Sequence, residues 1–394
     1  MTEAGFPLSR ADAFQRLQSF LPTAGRAYAR LRNKDQGKGR HVHVSRLSPA
    51  VRRRLITEAE IIETVLAHHD LASAEKFVSE VFWRSYWKGW LEQRPTLWPD
   101  YRAALEREKD RLDASADLRL RHEAAIDACT GIDCFDAWVE ELNVTGYLHN
   151  WARMQFASIW IFTLGLPWEL GAAFLFDRLI DADPASNTLS WRWVAGLHTV
   201  GKVYLADAGR IRSMTNGRFS PTGLAHTAII PTDSLQTPQP AAVRPFARPN
   251  PSAPTLLLLT SEDLSPETSQ EMCGLPVRAI ACIDGCNTWD RMAMADGMER
   301  ACKAWPEADC LGIVEPAHLL AKAHAAGCSQ VTTAFLPVGP VADVLMPLQV
   351  EGPTRGVLFT EYMHDWDRRT WPHCRKGFFA LREKIPALVR CGRD

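Results

Sequence analysis

No Gly-x-Gly-x-x-Gly run and no Walker-type loop follows any stretch that reads as a strand, so the sequence offers no glycine cradle for a nucleotide. Cysteines are scattered and do not repeat as metal-ligand doublets: Cys282 and Cys286 are four apart, Cys129 and Cys134 five apart. No zinc, iron–sulfur or other metal centre is therefore expected, and buried free thiols in a reducing cytoplasm are. The start, Met1-Thr2-Glu3-Ala4-Gly5, lacks a basic run followed by an apolar one, so no secretion signal is expected. The most apolar stretch, Phe156 to Trp168, is too short to cross a bilayer and reads as a buried core helix. A net charge of −1 excludes a strong overall field and says nothing about partners.

What is present is a chain of 394 residues, 46% apolar and 23% charged, the profile of a globular protein with two domains. Its charge is unevenly placed. Between Arg26 and Arg54 ten Lys or Arg face one acid, Asp35; such a block either binds phosphate or nucleic acid or is a solvated face.

Apolar residues recur at three- and four-residue spacing in Ala13–Leu21, Ile61–Leu66, Phe77–Leu91, Phe135–Leu142 and Ala152–Leu164, with breakers at Pro95, Pro99, Gly131, Gly146, Pro167 and Pro184. This predicts an all-α domain over residues 1–227. Seven prolines between Pro231 and Pro254 predict an extended linker over 228–254. Beyond it, short buried-strand runs begin at Thr255, Val277, Cys310 and Gln330, separated by helical stretches at Trp289–Trp305 and Ala317–Ala326. Residues 255–394 are thus expected to form an α/β, Rossmann-like domain with a parallel sheet.

Four blocks concentrate polar and aromatic residues. Gly146 to Met154 contains His149-Asn150-Trp151-Ala152-Arg153-Met154, and Asp181 to Trp193 contains Asp181, Asp183, Asn187, Trp191, Arg192 and Trp193. Val44-Ser45-Arg46-Leu47-Ser48-Pro49 offers hydroxyls and backbone amides ahead of a helix. In Glu80-Val81-Phe82-Trp83-Arg84-Ser85-Tyr86-Trp87, Glu80, Trp83, Arg84 and Trp87 share one helix face. Singly, each has a structural reading, as a helix cap, a packed face or a cation–π contact.

Together and in this order the blocks resemble the catalytic domain of the photolyase/cryptochrome family, over about residues 15 to 220. The resemblance implies an all-helical domain holding FAD in a bent shape. It implies that Tyr28, Ser45, Arg46, Leu47 and Ser48 hold the phosphates, that Arg84 lies along the cofactor, and that Arg153 pairs with Asp181 beside the flavin. Asp183 would hold the ribose or ring edge, and Asn187 would face the flavin N5. A reduced, anionic flavin needs neighbouring positive charge, which Arg153 supplies and Asp181 limits, and an amide serves N5 in either protonation state.

The resemblance further implies that Glu80, Asn150 and Met154 hold a cyclobutane pyrimidine dimer, with Trp83 and Trp193 as walls around flipped bases. Trp191 and Trp168 match the first two members of the family's electron-transfer chain. The third position is Ala125, so Trp160, Trp151 and Trp138 are the candidate exits. Trp151 stands where an arginine that contacts the DNA backbone is usual, and Arg192, Lys202, Arg210 and Arg212 are the cations expected to compensate. The implied activity is light-driven cleavage of pyrimidine dimers in UV-damaged DNA; the alternative is a flavin photoreceptor that signals through a protein partner. The second domain loosely resembles the family's antenna domain, which normally comes first, so a circular permutation is expected. A second chromophore is not readable.

Overall fold

Ser9, Thr57, Asp70, Ser115, Asp183 and Asp207 each accept the backbone N–H three residues on, and each starts a helix where the apolar period starts. The computed structural model describes residues 5–199, 201–231, 237–285 and 287–390. The first half contains α1 (Arg10–Phe20), α2 (Arg26–Leu31), α3 (Ser48–Arg52), α4 (Glu58–Leu66), α5 (Leu71–Glu92) and α6 (Leu97–Ala114). It continues with α7 (Ala116–Ile126), α8 (Asp133–Thr145), α9 (Asn150–Ser158), α10 (Trp168–Arg178), α11 (Pro184–Val194) and α12 (Ala208–Met214). Phe156 to Trp168 is not one helix: a π-helical turn, Ile159–Thr163, follows α9, and α10 opens only at Trp168.

The second half holds strands β1 (Thr255–Leu259), β2 (Val277–Cys282), β3 (Asp309–Ile313), β4 (Gln330–Ala334) and β5 (Leu358–Tyr362). Helices α13 (Thr288–Ala304), α14 (Leu319–Ala325), α15 (Pro340–Glu351), α16 (Asp365–Thr370) and α17 (Phe378–Arg382) accompany them. All pairings are parallel in the order β3-β2-β1-β4-β5, as the alternation of strands and helices requires. Leu256, Leu258, Ala279, Ala281, Val331 and Phe359 from four strands share one core with Leu319, Leu320 and Leu345. β5 and α15 lie beyond the runs that announced the other strands.

The chain divides within the proline-rich stretch, between Ala241 and Ala242, and also at three earlier points. One unit comprises residues 1–22, 45–93 and 242–394; the other comprises 23–44 and 94–241. The reason is that α5 packs on the C-terminal segment. Trp366 Nε1 donates to Ser85 Oγ at 2.7 Å, Gln93 Nε2 donates to the Trp371 carbonyl at 2.8 Å, and a Cβ at Gly89 would lie 2.8 Å from the Trp371 ring. Within the expected linker, residues 232–236 lie outside the described residues, and 242–254 is held in place. Arg244 makes a two-pronged contact with Glu361 at 2.6 Å, the Ala247 carbonyl accepts from Glu361 N, and Phe246 packs on Phe335.

The expectation of free thiols is corrected at one pair: Cys302, at the end of α13, is disulfide-bonded to Cys310 in β3. The other described cysteines, Cys129, Cys134, Cys273, Cys282, Cys328 and Cys374, are free, and Cys129 and Cys273 are exposed. Cys286 and Cys391 lie outside the described residues. No helix among the described residues is long and apolar enough to cross a membrane.

Candidate functional site

In the unit made by 23–44 and 94–241, Gly146 closes α8 in the left-handed conformation (φ 66°), where a side chain would be strained. Its carbonyl accepts from Ile180 N at 2.7 Å, which ties the turn before α9 to the connection that leads into α11. Across that tie Arg153, on α9, places Nη2 2.9 and 3.0 Å from the two oxygens of Asp181, while its Nε donates to the Leu148 carbonyl. Asp181 is buried and Arg153 is about a quarter exposed, so the cation keeps one side open.

Asp183 caps α11 through the Ser186 amide at 2.8 Å, and its carbonyl accepts from Asn187 N. The Asn187 side chain donates Nδ2 to the Ala172 carbonyl of α10 at 2.7 Å, which fixes the amide and leaves Oδ1 free to accept. Asn150 is exposed and Met154 half-buried on α9, and Tyr28 is buried on α2. Arg153, Asp181, Asp183 and Asn187 are thus brought to one tied set of elements.

Behind the α9 start lies a buried network that the sequence reading did not single out. His149 Nδ1 accepts from Trp151 N at 3.2 Å and its ring stacks on His41, centroids 5.5 Å apart. Burial first, then the neighbouring His41, push the His149 pKa down to about 4, so it is a neutral acceptor at pH 7. His41 Nε2 lies 2.5 Å from Glu141 Oε1. Asp35 accepts from Trp138 Nε1, Gly37 N and Arg218. Ligand-type atoms of Asp35, His41 and Glu141 lie within 4.8 Å of one another, but these contacts already engage them. Asp35, Trp138 and His149 stand in stretches the sequence marks for other reasons, and nothing local marks His41 or Glu141 as their partners.

Three of the residues named for the DNA side are wholly or partly buried. Trp151 is buried and meets Trp138 edge-on at 6.4 Å, so it lines the interior of α8 and α9. Arg192 is buried as well, with its guanidinium carbon 5.9 Å from the centre of the Trp168 ring; burial lowers its pKa. Trp83 is half-buried, and one indole face is covered by Phe378 at 3.8 Å. Lys202, Arg210 and Arg212 are exposed, and Trp193 is half-buried beside Tyr204 at 5.5 Å.

Among the other tryptophans, Trp191 lies 6.2 Å from Trp160, near-perpendicular, and Gly171 makes room for both. A Cβ on Gly171 would sit 2.3 Å from Trp191 Cη2 and 2.8 Å from Trp160 Nε1. Trp168 instead stacks on Tyr101 at 5.4 Å. Ala125 is buried in α7.

Ser45, Arg46, Leu47, Ser48, Glu80 and Arg84 belong to the other unit. Arg46 holds a φ of 57°, a left-handed value rare for a long side chain. Leu47 is buried and Ser48 exposed, and the Ser45 carbonyl accepts from Arg16 at 2.6 Å. Arg84 is paired with Glu58 at 3.3 Å and donates to the Arg52 carbonyl, and Glu80 is half-buried on the same helix.

The basic block also changes meaning here, because its last three arginines turn inward. Arg52 bonds Glu262 at 2.6 Å, Arg53 bonds Asp290 at 2.8 Å, and Arg54 bonds Asp367, with Lys88 adding a second contact to Glu262. These carboxylates sit beyond β1 and on α13 and α16. Arg52–Arg54 are therefore buried fastenings, not phosphate ligands.

Residues 77–220 match the family described as the FAD binding domain of DNA photolyase. The deoxyribodipyrimidine photo-lyase of Streptomyces griseus is 36% identical over 156 residues, 39% of this chain and 32% of that protein. The cryptochrome DASH of Natronomonas pharaonis is 36% identical over 120 residues, 30% of this chain and 24% of that protein. A crystal structure of a class III photolyase from Agrobacterium tumefaciens aligns with a TM-score of 0.44 at 26% identity, covering 53% of this chain and 43% of that one. The chain thus spans less than half the length of each of these relatives.

Proposed function

We propose, because the chain belongs to the photolyase/cryptochrome family, that it binds FAD and uses blue light to split cyclobutane pyrimidine dimers in UV-damaged DNA. The observation that carries this reading is the fixed Arg153–Asp181 pair, with the Asn187 amide held on the next helix by Ala172. The donor set fits a flavin: a cation open on one side, a buried carboxylate limiting its field, and an amide oxygen left free to accept an N–H.

When bound, reduced FAD supplies the excited-state electron that opens the dimer. The chain's own residues bind, orient and exclude water. Arg153 offers positive charge to the flavin edge without neutralising Asp181 completely. Asn187 Oδ1 would accept the flavin N5–H, with the amide kept from rotating by its contact to Ala172. By the resemblance, Asp183 would hold the ribose or ring edge, and Tyr28, Ser45, Arg46, Leu47, Ser48 and Arg84 would hold the pyrophosphate. The left-handed backbone at Arg46 is a strain of the kind kept at ligand-holding turns. By the resemblance, Glu80, Asn150, Met154 and Trp193 would hold the lesion, and Trp191 would pass electrons onward, with Trp168 and Trp160 as the next indoles. The parallel-sheet domain is the antenna-type domain in permuted order.

The burial of Trp151 and Arg192 favours a second reading, a flavin photoreceptor of cryptochrome type, because it withdraws one cation and leaves another position uncharged. One experiment separates them. Purified protein is expected to show flavin absorbance and, under blue light with reductant, to restore a dimer-containing oligonucleotide. Flavin without restoration rejects the lyase and leaves the receptor; a chain that cannot be loaded with FAD rejects both. Asn187→Asp is expected to destabilise the reduced flavin, and an unchanged redox titration would remove the N5 role.

A further inference from the structure

We infer that residues 34–40 and 212–218 form a phosphate niche on the helical unit, suited to a single backbone phosphate of a polynucleotide. The inference rests on the reading that this chain binds DNA, and it uses none of the residues of the Arg153–Asp181 site.

The two segments are locked to each other. Lys34 Nζ donates to the Ser213 carbonyl at 2.7 Å, and Asp35 N donates to the Met214 carbonyl at 3.0 Å. Arg218 donates Nη2 to the Asp35 carbonyl at 3.1 Å and pairs with its carboxylate at 3.0 Å. Asp35 is fully buried and is itself held by Trp138 Nε1 and Gly37 N, so Arg218 stands on a rigid base. Gly37, at φ 84°, is required there: a Cβ would fall 2.5 Å from Arg218 Nη1.

Between the segments lies a cavity of about 220 Å³ lined by Gln36, Arg40, Thr215, Asn216 and Arg218. Two guanidinium groups, whose planar forks suit phosphate oxygens, face it, and no carboxylate lines it. Asn216, at φ 54°, turns the chain at its rim, and the Thr215 hydroxyl is spent on the Ile211 carbonyl. Arg40 is exposed and makes no ion pair among the described residues, and Lys38 and Arg212 stand exposed on the same two segments.

Charge selects the ligand. Asp35 offsets Arg218, which leaves Arg40 as the net positive charge at the cavity and matches the single negative charge of a phosphodiester. Lys38 and Arg212, exposed on the same two segments, add to the positive charge available to a polyanion. This part of the basic block faces outward, in contrast with Arg52–Arg54.

The test is fluorescence anisotropy of the FAD-loaded full chain with dimer-containing and undamaged oligonucleotides across a KCl series. Arg40→Ala is expected to lower the slope of log K against log salt by about 0.7 on single strands, or about 0.9 on duplex, equally for both oligonucleotides. FAD content should be unchanged. Lys109→Ala, an exposed cation on α6, should leave the slope as it was. An unchanged slope in Arg40→Ala, an effect confined to the damaged strand, or an equal effect of Lys109→Ala overturns the niche while leaving the repair reading intact. Inorganic phosphate that competes at constant ionic strength, dependent on Arg40, shows a free-anion site and overturns the polynucleotide assignment. Wild-type protein that binds neither oligonucleotide overturns both readings.

Discussion

Arg153 meets Asp181 with 23% of its side chain in solvent, whereas Arg53 meets Asp290 with 1%. Both are arginine–carboxylate pairs at hydrogen-bond distance, and both stand in stretches that read as polar blocks. What separates them is the space left around the cation. Arg153 retains an open side toward which a ligand can come. Arg53 is wrapped by its own chain, with Nη1 on the Pro49 carbonyl as well as Nε on Asp290. The same chemistry is therefore left open to a ligand in one unit and fastens the end of α3 to α13 in the other. A pair that keeps solvent on one side contributes little to stability and much to binding; a sealed pair does the reverse once one partner is removed.

The comparison can be broken most directly at its sealed end. Arg53→Ala leaves Asp290 buried and unpaired, and should cost about 3–5 kcal/mol in urea unfolding. A cost under about 1 kcal/mol would show that the cluster is not a fastening.

A second probe of the same unit uses Glu92, buried at the end of α5 and accepting from Val338 N. Burial above all pushes its pKa up to about 7, against the pull of the Val338 amide, Arg244 and Lys88. A carboxyl raised in the folded state is protonated more readily there than in the unfolded chain. Stability is therefore full below about pH 4.5 and falls as pH rises toward 7, by on the order of 3 kcal/mol. Glu92→Gln should remove that slope from unfolding curves taken between pH 4.5 and 8; a slope that survives assigns it elsewhere.

In the helical unit the effect should be smaller. Gly171→Ala forces Trp191 or Trp160 to move and should cost about 1–3 kcal/mol, read by thermal unfolding and a change in tryptophan fluorescence. Smallest in stability is Arg153→Gln, within about 1 kcal/mol of wild type because the pair is partly solvated. Its flavin content should nonetheless fall about tenfold or more, the loss of one charge-assisted contact. Full flavin retention would make Arg153 a second fastening and erase the contrast.

Much of the architecture was legible because it rests on local signals. The 3.6 period announces helices, and the runs at Thr255, Val277 and Gln330 become strands of a parallel sheet. The Arg153–Asp181 pair was anticipated through the family resemblance, since nothing local to either residue marks its partner. The interleaving of the units was not. Arg52 meets Glu262 across 210 positions and Trp366 meets Ser85 across 281, and neither side carries a local mark of its partner. The burial of Trp151 and Arg192 is not legible for a related reason: an amphipathic side chain on a helix does not declare which face is buried. The bond between Cys302 and Cys310 escaped because a separation of eight residues resembles any other spacing until α13 turns back beside β3.

The fastening of α5 and Arg52–Arg54 to residues beyond 260 bears on how the chain comes off the ribosome. Synthesis delivers the helical arm long before its acidic and aromatic counterparts exist. Until Glu262, Asp290, Trp366 and Asp367 emerge, three arginines and the Trp83–Trp90 face must wait in a nascent chain with nothing to close on. This unit can only be completed late, and a release cut short near residue 230 would set free an adhesive fragment rather than a domain.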